Sequence, residues 1–441
     1  MSMSRRDLVL LLGALGTLVL VVVPALGADP WNFRPGTVDP TGPFAPLVRG
    51  ADRAWDPEAL RAAGLLGGVL VALAALAAPL RPVWPRWLAV ALTASVVCLL
   101  AVPAVVLQAG LRQSSEPWFF TNDSTYQIEL AGDLLRHGEN PYGHDYSHSG
   151  LERFYSLDGT VTEKTRDDQV ALRHFAYFPG SALTAAVWTA LPEPWSDYRF
   201  FVLLTMLAGI GAALVFPGPL VGRLVLGAVV AASPLAVQAA WFGTADAPGA
   251  LFTVLAFGLV ARRRLLWAAA ALGVAVLMKQ FALVALPFLA VAALQREPRR
   301  EVLRAGAVFA VVAAVGILPF VIWDPSAFWA DTIEYGGKTY RIVGYGLSGL
   351  LVKAGLIDRR TDPYPFLPLL ALVWLPLTAW LLWVQRAARD LWVAPAGFAV
   401  SFFFLIFLGR VFHTSYLVWS LVGIAMAAAL AFAARYEDSP R

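Results

Sequence analysis

Apolar positions in this chain come in long unbroken runs rather than in the alternation or short amphipathic stripes of a soluble fold. The runs are Leu8–Leu26, Leu65–Leu80, Leu88–Gln108, 178–191, 198–216, 224–241, 247–260, Leu265–Met278, Phe281–Leu294, Val302–Ile322, Phe366–Val384, Trp392–Leu408 and Tyr416–Ala433. A helix of about 20 residues spans the roughly 30 Å hydrocarbon core of a bilayer. The pattern therefore predicts an all-α polytopic transmembrane bundle of about 11 to 13 crossings. One interruption stands out, the segment from Trp118 to Tyr177, rich in Asp, Glu, Arg, His and Tyr. Charge and irregular backbone do not face lipid, so this segment reads as an external loop folded over the bundle.

The polar connectors orient the chain. Arg5-Arg6, Arg81 to Arg86, Arg262–Arg264, Arg296 to Arg304 and Arg386 to Arg389 are basic, the pattern of cytoplasmic loops. Residues 110–175 and 323–363 then fall outside, as does the loop Gly27 to Leu60 with its WNFRPG run, which is expected to lie on the membrane surface. Between residue 175 and Asp246, both external, an even number of crossings is needed, yet three apolar runs intervene. Either 178–191 or the Pro234-containing 224–241 is re-entrant or broken. The first run resembles a signal peptide with cleavage after Ala28, but it is longer than the usual apolar region, and a retained helix is expected. Three regions follow: an added hairpin and loop (1–86), a helical core carrying the large external loop (87–322), and a C-terminal helical region with the second loop (323–441).

Composition agrees. Of 441 residues, 59% are hydrophobic and 15% charged, against about 25% charged in soluble domains; mean hydropathy is +0.65. The net charge of +4 is accounted for by the cytoplasmic connectors, so no nucleic-acid partner is implied. The single cysteine, Cys98, sits in an apolar run and forms no disulfide within the chain.

Candidate chemistry lies at the external membrane edge. Ser124 to His137 predicts an amphipathic helix capped by Thr121 or Asp123. Tyr126, Ile128, Leu130, Leu134 and Leu135 supply its apolar positions, and Glu129, Asp133 and Arg136 stay polar, so that it rests along the interface. Asp123 is either such a cap or a general base at the mouth of a membrane cavity. Tyr142, His144, Tyr146, His148, Tyr155 and Tyr177 offer rings and hydroxyls to a sugar face, or form an interfacial aromatic belt. His144, Asp145 and His148 make a poor metal set, because Pro141 and Gly143 oppose a helix there; no metal is indicated.

Asp246 faces a cavity or lies on an external turn. Lys279 stands alone between 14 apolar residues and 14 more. It either snorkels or provides a compact charge for an anionic head group. Arg410 and His413, three residues apart, suit phosphate or sugar oxygen. Glu334, Lys338, Tyr340 and Arg341 form a lid over a ligand or a solvated loop.

Taken in order, these motifs resemble the GT-C superfamily of polyprenyl-phosphate-sugar-dependent membrane glycosyltransferases, most closely glycosyltransferase family 87, the group carrying the domain of unknown function 2029. The likeness rests on Asp123, Tyr126, Leu134-Leu135 and HGENPYG at 137–143. It continues with Phe175, Tyr177 and Pro179; Ser233-Pro234 before Gly243, Thr244 and Asp246; Gly273 to Lys279-Gln280; and His413, Tyr416 and Trp419. It spans about Phe119 to Trp419 and departs in the Gln absent beside Gly243 and in the added N-terminal hairpin. The resemblance implies a GT-C-type bundle in a bacterial plasma membrane with its active site on the external face. It implies inverting transfer of a mannose- or arabinose-like sugar from a polyprenyl-phosphate donor to a lipid or cell-envelope glycan. Asp123 would be the base, Lys279, Arg410 and His413 the phosphate end, and Tyr126, Tyr142, Tyr146, Tyr177 and Asp246 the acceptor or sugar end. Lysine and arginine can stabilise the leaving phosphate, so no cofactor is required and a divalent metal is optional. Two rival readings are a multi-pass transporter, opposed by the lack of an internal repeat, and a non-catalytic assembly or lipid-binding protein, which leaves the motif order unexplained.

Overall fold

The structure is a computed structural model that describes residues 2–26, 41–49, 58–112, 121–155 and 167–438. The WNFRPG run and Trp118 to Phe120 lie outside the described residues. The bundle is helical because a helix satisfies its own backbone in lipid. Among the described residues, seven helices are long and apolar enough to cross a membrane: Arg5–Ala25, Glu58–Leu80, Arg86–Arg112, Leu220–Trp241, Arg299–Trp323, Phe366–Ala388 and Thr414–Tyr436. Five shorter apolar helices accompany them: Tyr198–Leu214, Asp246–Ala261, Leu265–Met278, Gln280–Leu294 and Val393–Leu408. The seven are fewer than the 11 to 13 crossings expected, because five of the apolar runs fold as shorter helices. Leu303, Val311, Val315, Ile322, Leu372, Trp380 and Trp383 point away from the protein, as lipid-facing side chains do.

The parity problem between residues 175 and 246 has a simple origin. The apolar run at 178–191 folds as the ten-residue helix Pro179–Trp188, roughly 15 Å long and about half a bilayer core. That leaves Tyr198–Leu214 and Leu220–Trp241 as the pair of crossings. The second of these is broken at the proline. Leu220–Ala232 ends at Ser233, whose hydroxyl accepts from the Ala236 amide (3.2 Å) to cap Pro234–Phe242. Gly243, at φ +75°, ends that segment in the left-handed region. A Cβ there would also collide with the Arg199 side chain.

Two cores hold the bundle. One runs from Ala101 through Phe288 and Phe402 to Leu430; the other packs the N-terminal helices, through Leu11, Leu15, Val96 and Leu100, onto Leu224, Ala231 and Trp241.

The external helix differs from its expectation in two ways. It spans Asp123–Arg136, and its cap is Asn122, whose Oδ1 accepts from the Ser124 amide at 3.0 Å. Asp123 is thus one place inside the helix and its carboxylate is not consumed as the cap. The helix is also sunk into the protein rather than laid along the interface: Gln127, Ile128 and Glu129 are buried. A Cβ on Gly132 would sit 2.6 Å from the Ala186 amide nitrogen, so glycine is what lets this helix approach Pro179–Trp188. Glu129, expected to stay in water, is instead paired with Arg112.

The second external segment passes through Pro325–Trp329, a wide π-type turn Ala330–Thr339 and a short helix Leu347–Lys353. A parallel two-residue bridge, Val343 to Val411 and Gly344 to Phe412, ties it to the junction of the last two crossings.

Candidate active site

Asp123 begins the external helix and is half-buried. Its Oδ1 accepts from the Ser124 amide (2.8 Å) and its Oδ2 from the Tyr155 hydroxyl (3.2 Å).

Lys279 follows the helix Leu265–Met278 with an extended backbone. The turn at Lys279 is pinned to the helix Pro179–Trp188, where Ser181 Oγ donates to the Met278 carbonyl (2.8 Å), and to the residues before that helix, where Gln280 Nε2 donates to the Ala176 carbonyl (2.8 Å). Far from snorkelling, Lys279 is buried. Its Nζ lies 4.7 Å from the ring centroid of Tyr177, 5.3 Å from Phe281 and 5.7 Å from Tyr416. Such faces attract a cation but accept no strong hydrogen bond. Its acidic partner comes from elsewhere in the sequence: Asp246 Oδ1, at 3.6 Å. Asp246 opens the helix Asp246–Ala261, where the dipole favours a carboxylate, and its Oδ1 accepts from Trp419 Nε1 at 3.0 Å. Its Oδ2 is buried and has no hydrogen-bond partner among the described residues.

His413 links the two halves. Burial, chiefly, holds its imidazole below the ordinary range; Asp123 and Asp246 oppose this, while Lys279 and Arg341 reinforce it. One side chain therefore lies within electrostatic reach of the proposed base and of the buried ammonium. Burial first, then the Asp123 charge, raises the hydroxyls of Tyr155, Tyr177 and Tyr340, which keeps them protonated as donors. Arg341 adds a buried Nε with no partner among the described residues.

Other expected site residues are placed differently. Tyr126 donates to the Ser149 carbonyl (2.7 Å), Tyr142 to that of Tyr177 (2.8 Å) and Tyr146 to that of Pro141 (2.8 Å). All three are buried, with their hydroxyl protons given to these carbonyls. Arg410 is spent as a brace: its Nε donates to the Tyr340 carbonyl (2.7 Å) and a terminal nitrogen to that of Asp362 (3.3 Å). Lys338 is exposed. Asp145 turns to Arg173 (3.1 Å) and His144 packs edge-on to Tyr146, so the His144, Asp145, His148 trio does not converge. No group of three or more His, Cys, Asp or Glu that could hold a metal occurs among the described residues.

Asp331 escaped the sequence reading. Buried, it accepts from His174 Nδ1 (2.7 Å) and from the amides of Gly143 (2.8 Å) and Phe175 (3.2 Å), joining the two external segments. An acidic residue in a loop carries no local signal of that role. A cavity of about 410 Å³ lies away from this chemistry, lined by Leu47, Leu60, Leu99, Val102 and other apolar side chains with Cys98; it offers neither acid nor base.

Comparison with known proteins adds a family. The model of glycosyltransferase family 87 matches residues 175–409, more than half of the chain. No curated protein matches it. Among solved structures, the chain is similar to ArnT from Cupriavidus metallidurans, crystallised with undecaprenyl phosphate, at 19% identity and a TM-score of 0.41. The alignment covers 70% of this chain and 55% of that one, so the chain spans little more than half the length of the protein it resembles.

Proposed function

The chain belongs to glycosyltransferase family 87, and we propose that it transfers a sugar from a polyprenyl-phosphate donor by single displacement, with Asp123 as base. The acceptor is a hydroxyl of a lipid or cell-envelope glycan, met at the external face of a bacterial plasma membrane. The acceptor O–H gives its proton to Asp123 while its oxygen bonds to the anomeric carbon. The bond from that carbon to the phosphate oxygen breaks with inversion, and polyprenyl phosphate leaves with the electron pair. Phosphate needs charge stabilisation rather than protonation; Lys279, assisted by Arg341, supplies it, and His413 adds a ring N–H as a hydrogen-bond donor. Tyr177 covers the ammonium and provides a ring for the sugar. Asp246 holds Lys279 in place between turnovers. Arg410 acts through the loop it braces rather than on the phosphate.

The observation that carries this reading is the buried Lys279, 3.6 Å from Asp246 and 4.7 and 5.7 Å from the rings of Tyr177 and Tyr416, with His413 packed edge-on against Tyr416 at 5.4 Å. The sugar is mannose- or arabinose-like by family resemblance.

A panel of polyprenyl-phosphate sugars, offered to the purified protein in lipid nanodiscs with an extract of envelope lipids, tests it by mass spectrometry of the product. Asp123→Asn is expected to lower turnover by about 100-fold or more while donor affinity stays within about two-fold. Because Asn122 is the cap, the helix survives the change. Turnover above about a tenth of the wild type in this variant would remove Asp123 as the base.

A further inference from the structure

Tyr155 belongs to the aromatic set that reads, in the sequence, as a wall for a sugar. Its hydroxyl is committed elsewhere. The Ala171 amide donates to Tyr155 Oη at 3.3 Å, and Oη lies 3.2 Å from Asp123 Oδ2. A phenol has one proton to give. With the amide on its lone pair, that proton is directed at the carboxylate. The frame behind this contact closes on itself: Gln127 Nε2 donates to the carbonyls of Ala171 (2.7 Å) and His174 (2.9 Å). Gln127 stands four residues after Asp123, on the same side of the same helix. The circuit therefore runs from Asp123 to Tyr155, to Ala171, to Gln127 and back to Asp123 along one turn of helix. Each link is fixed by the next, and Gln127 is buried, so water does not compete for its amide.

We propose that Tyr155 is the positioning residue of Asp123: its hydrogen bond to Oδ2 and the Ser124 amide on Oδ1 (2.8 Å) together fix the plane of the carboxylate, so that a remaining lone pair faces the acceptor hydroxyl. The proposal rests on the reading of Asp123 as the base. A base must be held at a fixed distance from the proton it takes, and the Ser124 amide fixes only one of the two oxygens of this half-buried aspartate. A phenol O–H donates to a carboxylate oxygen, so loss of this donor is a change that a probe of the Asp123 carboxyl can read. Other groups in electrostatic reach of Asp123 are Tyr177, Tyr335, Tyr340, Tyr416 and His413. Tyr335, Tyr340 and Tyr416 have no hydrogen bond to it among the described contacts, and the hydroxyl of Tyr177 is oriented by Ser124.

The test uses Tyr155→Phe, which keeps the ring, beside Tyr340→Phe, which removes a hydroxyl in the same field without a bond to Asp123. A hydrophobic carbodiimide labels protonated carboxyls, so the pH at which labelling of Asp123 in the full-length protein falls to half reads its protonation without any donor. In Tyr155→Phe this midpoint is expected to move to higher pH, and in Tyr340→Phe to move by less. In turnover, Tyr155→Phe is expected to lose about ten-fold in kcat with KM for polyprenyl-phosphate mannose, or for whichever panel sugar turns over, within about two-fold. An unmoved midpoint in Tyr155→Phe, or an equal shift in both variants, overturns the proposal and leaves Tyr155 a packing residue. If Asp123→Asn retains turnover while the midpoint still moves, the base assignment fails and the Tyr155 contact stands. If Asp123→Asn is inactive and Tyr155→Phe is wild-type in both measurements, only the positioning role fails.

Discussion

Two of the buried charge groups among the described residues are built on opposite principles. Beneath the external helix, Arg112 grips both oxygens of Glu129 and lies 3.3 Å from Asp197. Asp197 is also held by Arg199, which donates in turn to the Gln108 carbonyl (3.2 Å), and the Tyr198 amide donates to Glu129 (2.9 Å). Every carboxylate there has more than one donor. At Lys279, by contrast, the Asp246 carboxylate lies 3.6 Å away, one of its oxygens is unpartnered among the described residues, and the ammonium faces aromatic rings. Burial does not separate the two cases, since side-chain exposures are 8% and 6% for Arg112 and Glu129 against 7% and 1% for Lys279 and Asp246. Completeness of pairing does. A charge with its hydrogen-bonding capacity filled has no capacity left for a ligand, whereas an under-partnered one is stabilised by a ligand's arrival.

The contrast makes the first group structural, and Glu129→Ala is the hardest test of that. It strands Arg112 in the interior, and breaking a buried pair typically costs about 3 to 5 kcal/mol. A large fall in unfolding temperature, measured in detergent, is expected together with low expression. An unchanged unfolding temperature would mean that the knot holds nothing.

Lys279→Met should behave differently. Asp246 keeps the Trp419 indole and its helix N-terminus, so the stability loss is expected to be smaller than for Glu129→Ala. Affinity for the polyprenyl-phosphate donor, measured by direct binding, is expected to fall about ten-fold or more, since charge-assisted hydrogen bonds are worth about 1.5 to 3 kcal/mol each. The reverse result, with stability lost and affinity kept, would make the pair structural too.

The sequence made the bundle legible, because apolar runs and basic connectors are local signals. It also marked Asp123, Lys279, Asp246 and His413, since lone charges at membrane edges are rare enough to notice. What it could not show was pairing. Nothing near Lys279 in the chain points to Asp246, and nothing near Arg112 points to Glu129 or Asp197. The tyrosines show the same limit: Tyr126, Tyr142, Tyr146 and Tyr155 look alike in composition, and only the structure tells the three whose hydroxyls meet carbonyls from the one that meets Asp123. The Glu129 misreading has a physical origin as well. A glutamate on an amphipathic helix reads as solvated unless its arginine, seventeen positions away, is known to lie beneath it. The run at 178–191 shows the same limit, since its apolar residues suit burial under a loop helix as well as they suit lipid.

Lys338 provides a third kind of charge, exposed and on the second external segment. Its charge is solvated, so its loss strands nothing and Lys338→Ala is expected to leave stability within about 0.5 kcal/mol. Attraction between an exposed lysine and an approaching phosphate is long-range and screened by salt over about 8 to 10 Å. The KM for donor should therefore rise by no more than about two- to three-fold, with the difference vanishing at high ionic strength and kcat unchanged. A donor titration at low and high salt separates this from the alternative. A rise of ten-fold or more that persists in salt would place Lys338 inside the closed site, in contact with phosphate. It would also show that the π-type turn carrying it moves inward when the donor binds.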